Sequence, residues 1–189
     1  GNILMTTRLV EDYAKACGRP ITLLTGPICP DVGVTSDEEP YPIWKNNPFL
    51  EKIIDAEKIN QEIMEAVSAE IDNCCQFNHV IENTLIHYGL RPSALRASLF
   101  LSNAEMVSAL YATRNIRRPL VILHPGGTTS PPESHAWNLA RWKEVVEKCG
   151  SIVGFLQVAK GDYDAKDIDI PHFHTTLREA MALIWAADG

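Results

Sequence analysis

Apolar residues at Ile3, Leu4, Leu9, Val10, Tyr13, Ala14 and Cys17 recur at helical spacing, and Gly18 with Pro20 ends that pattern before the short apolar run Ile21 to Leu24. A helix therefore feeds a strand. From Pro27 to Pro48, five prolines and the acidic cluster Asp37-Glu38-Glu39 predict a loop, interrupted at most by a short strand around Pro42 to Trp44. Ile53-Ile54 marks another short strand, and residues 56–88 read mainly as helix, ending at Gly89.

Ser102 and Glu105 have the Ser-x-x-Glu spacing of a capping box, which starts a helix that dies between Asn115 and Pro119. The domain boundary is placed there, giving domains at 1–117 and 118–189. Beyond it the pattern alternates: strand Leu120 to Leu123, glycine-rich loop, helix Leu139 to Cys149, strand Ile152 to Val158, polar loop, helix Leu177 to Ala187. Strands alternating with helices of this length predict an α/β fold with parallel sheets.

The loop His124-Pro125-Gly126-Gly127-Thr128-Thr129-Ser130 leaves the carboxyl end of a buried-type strand, the edge where open α/β sheets bind ligands. Two glycines admit a ligand close to the backbone, and free N–H groups and threonine hydroxyls suit a diphosphate. The loop is neither a Walker loop, which needs Gly-Lys-Ser/Thr, nor a dinucleotide fingerprint, which needs a third glycine.

Composition narrows the picture. With 46% hydrophobic residues the chain holds a real core, and 24 acidic against 17 basic side chains, net −7, exclude the broad basic surface of a nucleic-acid binder. No apolar run approaches the length of a spanning helix, and the N-terminus lacks a leader pattern, so the expectation is a soluble, cytoplasmic protein. Five cysteines without regular spacing fit reduced thiols. Cys74, Cys75, His79 and His87, and the His172-Phe173-His174 triplet, lack the further ligands of a zinc site, so no metal is expected. Arg114, Arg117 and Arg118 read as the basic end of a helix, and Trp137 and Trp142 as packing residues.

In order along the chain, several segments resemble glycosyltransferase family 9, the ADP-heptose:lipopolysaccharide heptosyltransferases and their relatives. They are Gly1-Asn2-Ile3-Leu4-Met5-Thr6-Thr7-Arg8, Ile21 to Gly26, Trp44 to Asp55, His124-Pro125-Gly126-Gly127, Trp137 to Trp142, and Thr175-Thr176-Leu177-Arg178-Glu179 leading to Asp188. The resemblance implies a GT-B fold: two Rossmann-like domains with parallel sheets, an acceptor-side domain at 1–117 and the start of a nucleotide-sugar donor domain at 118–189. It implies inverting, metal-independent transfer of a heptose-like sugar to a lipopolysaccharide or related lipid-linked surface glycan, with no cofactor and with peripheral contact at the inner face of the cytoplasmic membrane. It further implies a donor site of His124, Gly126, Gly127, Thr128, His135 and Asp162, the last as ribose partner, and an acceptor side of Gly1, Asn2 and Thr6.

The pattern departs from the family at two functional positions. Asn2 stands where members carry the aspartate proposed as catalytic base, and an amide accepts no proton at neutral pH. Three explanations stand: another carboxylate takes the proton, the position was changed deliberately, or the chain is a non-catalytic nucleotide-sugar-binding module. His135-Ala136 stands where the heptosyltransferases place a lysine before the tryptophan, so a protonated His135 is the substitute charge. The family continues past the position of Gly189 into a further strand and phosphate-gripping loop, so the second domain is expected to be incomplete.

Overall fold

A computed structural model of the chain describes residues 2–25, 41–55, 80–125, 137–159 and 168–188. It divides into two compact units, Gly1–Phe100 and Leu101–Gly189.

The first unit opens with helix α1 (Asn2–Cys17), which buries Val10 and Ala14. Gly18, at φ +66°, closes it from the left-handed region that a side chain disfavours, its N–H donating to the Lys15 carbonyl at 3.2 Å. Strands β1 (Ile21–Thr25) and β2 (Leu50–Asp55) then pair in parallel from Ile21↔Leu50 to Thr25↔Asp55, with a bulge after Ile21. Helix α2 (Val80–His87) buries Ile81 and Leu85 and packs on α1. The strand expected at Pro42 to Trp44 is absent. Trp44 N–H instead donates to Tyr41 O at 3.0 Å and Asn47 N–H to Trp44 O at 3.3 Å, so the run folds into local turns that bury Ile43 and Trp44 without a ladder partner. The helix expected over 56–88 is seen only in α2, since 56–79 lie outside the described residues.

Polar side chains fasten α1 to residues 93–98. Ser93 donates its N–H (3.0 Å) and hydroxyl (2.7 Å) to the Asp12 carboxylate, while Arg8 gives Nε to Arg96 O at 3.0 Å and Nη1 to Ser93 Oγ at 3.1 Å. Thr7 Oγ1 accepts the Ser98 N–H at 2.8 Å, and the Ser98 hydroxyl donates to Glu11. Burial pushes the Glu11 carboxyl up, but hydrogen bonds from Lys15 and Ser98 and the nearby charge of Arg8 outweigh it and hold the group below the ordinary carboxylate range.

In the second unit, helix α3 (Asn103–Thr113) is followed by β3 (Leu120–Leu123), α4 (Leu139–Cys149), β4 (Gly154–Ala159), β5 (His172–His174) and α5 (Leu177–Ala186). The strands form a parallel sheet in the order β3-β4-β5. Leu120, Leu156 and Val158 bury one face against Ala109 of α3 and Ala182, Leu183 and Ala186 of α5. Gly154 is dictated by close approach, because a Cβ there would sit 2.3 Å from the Arg117 carbonyl oxygen.

The unit boundary precedes α3 instead of following it at 117/118. The Asn115–Pro119 break is real as a helix end, but α3 lays Ala109 and Thr113 into the second unit's interior and packs on α5. Arg118 fastens the same junction, donating to Asp188 at 2.9 Å and to Thr113 Oγ1 at 3.2 Å. No helix among the described residues is long and apolar enough to cross a membrane.

Candidate functional site

Parallel strands deliver their carboxyl ends to one edge of the sheet, and loops leaving that edge carry ligand-binding groups in open α/β folds. In the second unit this edge holds His124 after β3, Val158 and Ala159 ending β4, and His174-Thr175 ending β5. His124 is exposed, and its Nδ1 lies 3.0 Å from the Val158 carbonyl oxygen. A carbonyl only accepts, so Nδ1 carries the hydrogen and Nε2 is the ring atom left for other contacts.

Gln157 was not singled out by the sequence pattern. It lies within the buried run of β4, next to Leu123 on one side and His172 on the other, and is 2% exposed. Its neighbours Leu156 and Val158 face the apolar core, so strand alternation turns the Gln157 side chain to the opposite face. Its Nε2 has no partner among the described residues. The His172 and His174 rings stack edge to face at 4.6 Å, confirming that the two side chains share one side of β5. No group of three His, Cys, Asp or Glu residues able to hold a metal occurs among the described residues.

Beyond β5, a groove of about 440 Å³ lies between the small residues Ala104, Ser108 and Ala112 of α3 and the first turns of α5. The Glu105–Arg178 pair crosses it, with Arg178 Nε and Nη2 each 2.7 Å from a carboxylate oxygen. Glu105 also accepts the Ser102 N–H at 2.7 Å, completing the capping box read from the sequence. Thr176 and Glu179 build a second box at the start of α5.

The bidentate Arg178 contact, with help from Ser102 and against a smaller burial cost, pulls the Glu105 carboxyl down to about 2 from 4.5. A depressed folded value means that the carboxylate stabilises the fold above pH 4.5, and this contribution fades as pH falls from 4.5 toward 2. Urea titrations between pH 7 and pH 2.5 are expected to show the wild type losing stability over that window. Glu105→Gln starts less stable at pH 7 and shows a shallower acid slope; equal slopes would remove Glu105 from the acid response.

The remaining sequence candidates divide between the units. Asn2 is the first residue of α1 and Thr6 lies one turn along it, both in the first unit. Gly1, Gly126, Gly127, Thr128, His135 and Asp162 lie outside the described residues, as do Cys74, Cys75 and His79. The basic trio is engaged within the fold. Arg114 stacks 3.6 Å over Tyr111, Arg117 donates to Ser151 O, and Arg118 ties α3 to the end of α5. Trp137 and Trp142 meet edge to face at 4.8 Å around the start of α4, where Asn138 caps the helix by accepting the Ala140 N–H at 2.8 Å.

No family model and no curated protein matches this sequence. Among solved structures, the chain is similar to the crystal structure of the glycosyl transferase family 9 from Veillonella parvula DSM 2008, with a TM-score of 0.65 and 12% sequence identity. The likeness covers 100% of this chain and 70% of that one. At this identity the match concerns the fold: the α/β, GT-B-type architecture with parallel sheets read from the sequence is the architecture observed.

Proposed function

We propose that the chain is a nucleotide-sugar-dependent glycosyltransferase whose donor site lies at the carboxyl edge of the β3-β4-β5 sheet. The observation that carries this reading is the place of His124, exposed at the end of β3 where the Gly126-Gly127 loop begins, in a fold shared over its full length with a family 9 structure. Backbone N–H groups of Gly126, Gly127 and Thr128 cradle the diphosphate, His124 and His135 contact it, and Asp162 takes the ribose. Asn2, Gly1 and Thr6 serve the acceptor side. In the transfer, the acceptor hydroxyl loses its proton to a base as its oxygen bonds the anomeric carbon, and the nucleoside diphosphate leaves with the electron pair of the broken C–O bond. The resemblance in the opening and donor segments supports a heptose-like sugar, inversion without a metal, and a lipopolysaccharide or related surface glycan as acceptor met at the membrane's inner face.

Asn2 favours a second reading, a nucleotide-sugar-binding module of the same fold without transfer. Both readings require a donor site. Isothermal titration with ADP, UDP, GDP and CDP is expected to show binding of at least one, and Gly127→Val to weaken it by about tenfold or more, on the order of 1.4 kcal/mol. Failure of all four to bind defeats the donor site and both readings with it.

A further inference from the structure

The parallel ladder between β3 and β4 dictates what the ring of His124 must do. Gly154 N–H donates to Pro119 O at 2.9 Å, and the register runs Leu120↔Gly154, Ile122↔Leu156 and onward in steps of two. Continued one step past Leu123, the ladder brings the N–H of residue 125 to the Val158 carbonyl. Residue 125 is proline, which has no N–H. The carbonyl of a buried strand residue is thereby left without its ladder donor, and His124 Nδ1, at 3.0 Å, takes that place. The ring is held in one tautomer by the backbone, so the neutral imidazole presents only a lone pair at Nε2.

We propose that His124 binds the donor diphosphate only as the imidazolium, so that each nucleoside diphosphate bound brings one proton from solvent onto His124 Nε2 and returns it on release. This rests on the donor-site reading above. A neutral Nε2 lone pair facing phosphate oxygens is repulsive; protonated, the same atom donates a charge-assisted hydrogen bond while Nδ1 keeps Val158. Ring rotation to offer Nδ1–H instead would strip the Val158 carbonyl of its donor. The other titratable groups at this edge, among the described residues, are His172 and His174 on β5; β4 ends in Gln157, Val158 and Ala159, none of which titrates. In the first turn of α5, Arg178 is held by Glu105 and Glu179 by Thr176. No described carboxylate bonds His124, so the charge arriving with the ligand is the partner available for the imidazolium.

Calorimetry in buffers of different ionisation enthalpy measures the proton count directly. ADP, UDP, GDP and CDP are titrated in turn into the full chain at pH 7.5, in Tris and in PIPES, with His124→Asn alongside; the asparagine amide preserves a donor near the Val158 carbonyl but has no atom at Nε2. Wild type is expected to take up most of one proton more than the variant on binding, and to bind about tenfold more tightly. Because the proton favours binding, wild-type affinity falls as pH rises from 6 to 8.5, and the variant's falls less. Equal proton uptake by the two proteins overturns the proposal and leaves the donor site standing, whereas no binding by wild type removes the donor-site reading as well. Nitrogen-15 spectra of the free protein at pH 8 give a ligand-independent arm: hydrogen on Nδ1 of His124 is expected, and hydrogen on Nε2 refutes the tautomer argument outright.

Discussion

Leu156→Ala is expected to destabilise the second unit by about 3–5 kcal/mol, the upper part of the range for truncating a buried leucine. Leu156 is 0% exposed, lies in the central strand of the three, and packs in a cluster with Leu120, Val158 and Leu183 and with three alanines, Ala109, Ala182 and Ala186. The size of the loss follows from those neighbours. On the helix side three of the four cluster residues are alanines, whose methyls have no rotamers with which to refill a vacated volume, and β4 is held by strands on both sides, so most of the cavity stays open. Urea unfolding followed by tryptophan fluorescence reports the change, since Trp137, Trp142 and Trp185 all lie in this unit. Ile152→Ala supplies the control: at 66% exposure it should shift stability by less than about 0.5 kcal/mol despite removing more methylene than many core changes. A loss below about 1.5 kcal/mol for Leu156→Ala would mean that the α3 and α5 layer closes over the sheet more freely than packed helices normally do.

The same packing explains which parts of the fold were legible from the sequence. The bounds of helix α4, Leu139–Cys149, and of α5 to within one residue of its end are legible in the sequence, because helix periodicity and the residues that stop it are local signals. The start of α3 was legible for the same reason, through Ser102 and Glu105. Its allegiance was not. The boundary at 117/118 followed the break at Pro119, whereas α3 belongs with the second unit through Ala109, Thr113 and the Glu105–Arg178 pair, whose members stand 73 residues apart. The apolar triplet Pro42-Ile43-Trp44 looked like a strand because burial and pairing leave the same mark on a short run; only the absence of a ladder partner separates them. At the candidate site, glycines and the position after a strand pointed to the His124 loop. The role of Pro125 did not show, since a missing N–H matters only once the register names the carbonyl it fails to reach. Gln157 is not legible in the sequence, because a single polar residue in an apolar run carries no periodic signal.

Arg8→Met is expected to cost the first unit about 3–5 kcal/mol, because it takes the cation from beside the buried Asp12 carboxylate and breaks the hydrogen bonds to residues 93–98, while Glu11 keeps Lys15. Nothing in the periodicity of α1 marks Arg8, which falls beside the apolar Leu9 and Val10. The side chains of Arg8 and Asp12 are 8% and 7% exposed, and that of Glu11 13%, so solvent screens little of their mutual field. Methionine matches the volume and the flexible stem but removes the Nη1 contact to Glu11 at 3.0 Å, the bond to Ser93 Oγ and the bond to the Arg96 carbonyl. Asp12 keeps both bonds from Ser93, so the network loosens without vanishing. Adding Asp12→Leu to Arg8→Met is expected to recover part of the loss, because an apolar replacement of a buried ion pair is often neutral whereas half a pair is costly. Additivity of the two changes would show that the charges act independently and that the guanidinium serves only as a donor to the 93–98 backbone. The pH response separates these cases further. With Arg8 present, Glu11 sits below the ordinary carboxylate range and contributes stability that is lost as pH falls below about 4.5; removing Arg8 raises the Glu11 value and shrinks that acid-labile share. The clamp also bears on the acceptor side of the proposed reaction, since Thr7 and Arg8 lie on the same helix as Asn2 and Thr6 and fix its middle turns to residues 93–98. A helix freed at those turns keeps its local hydrogen bonds but not its position, so Arg8→Met should weaken transfer to acceptor through KM more than it weakens nucleoside diphosphate binding to the second unit.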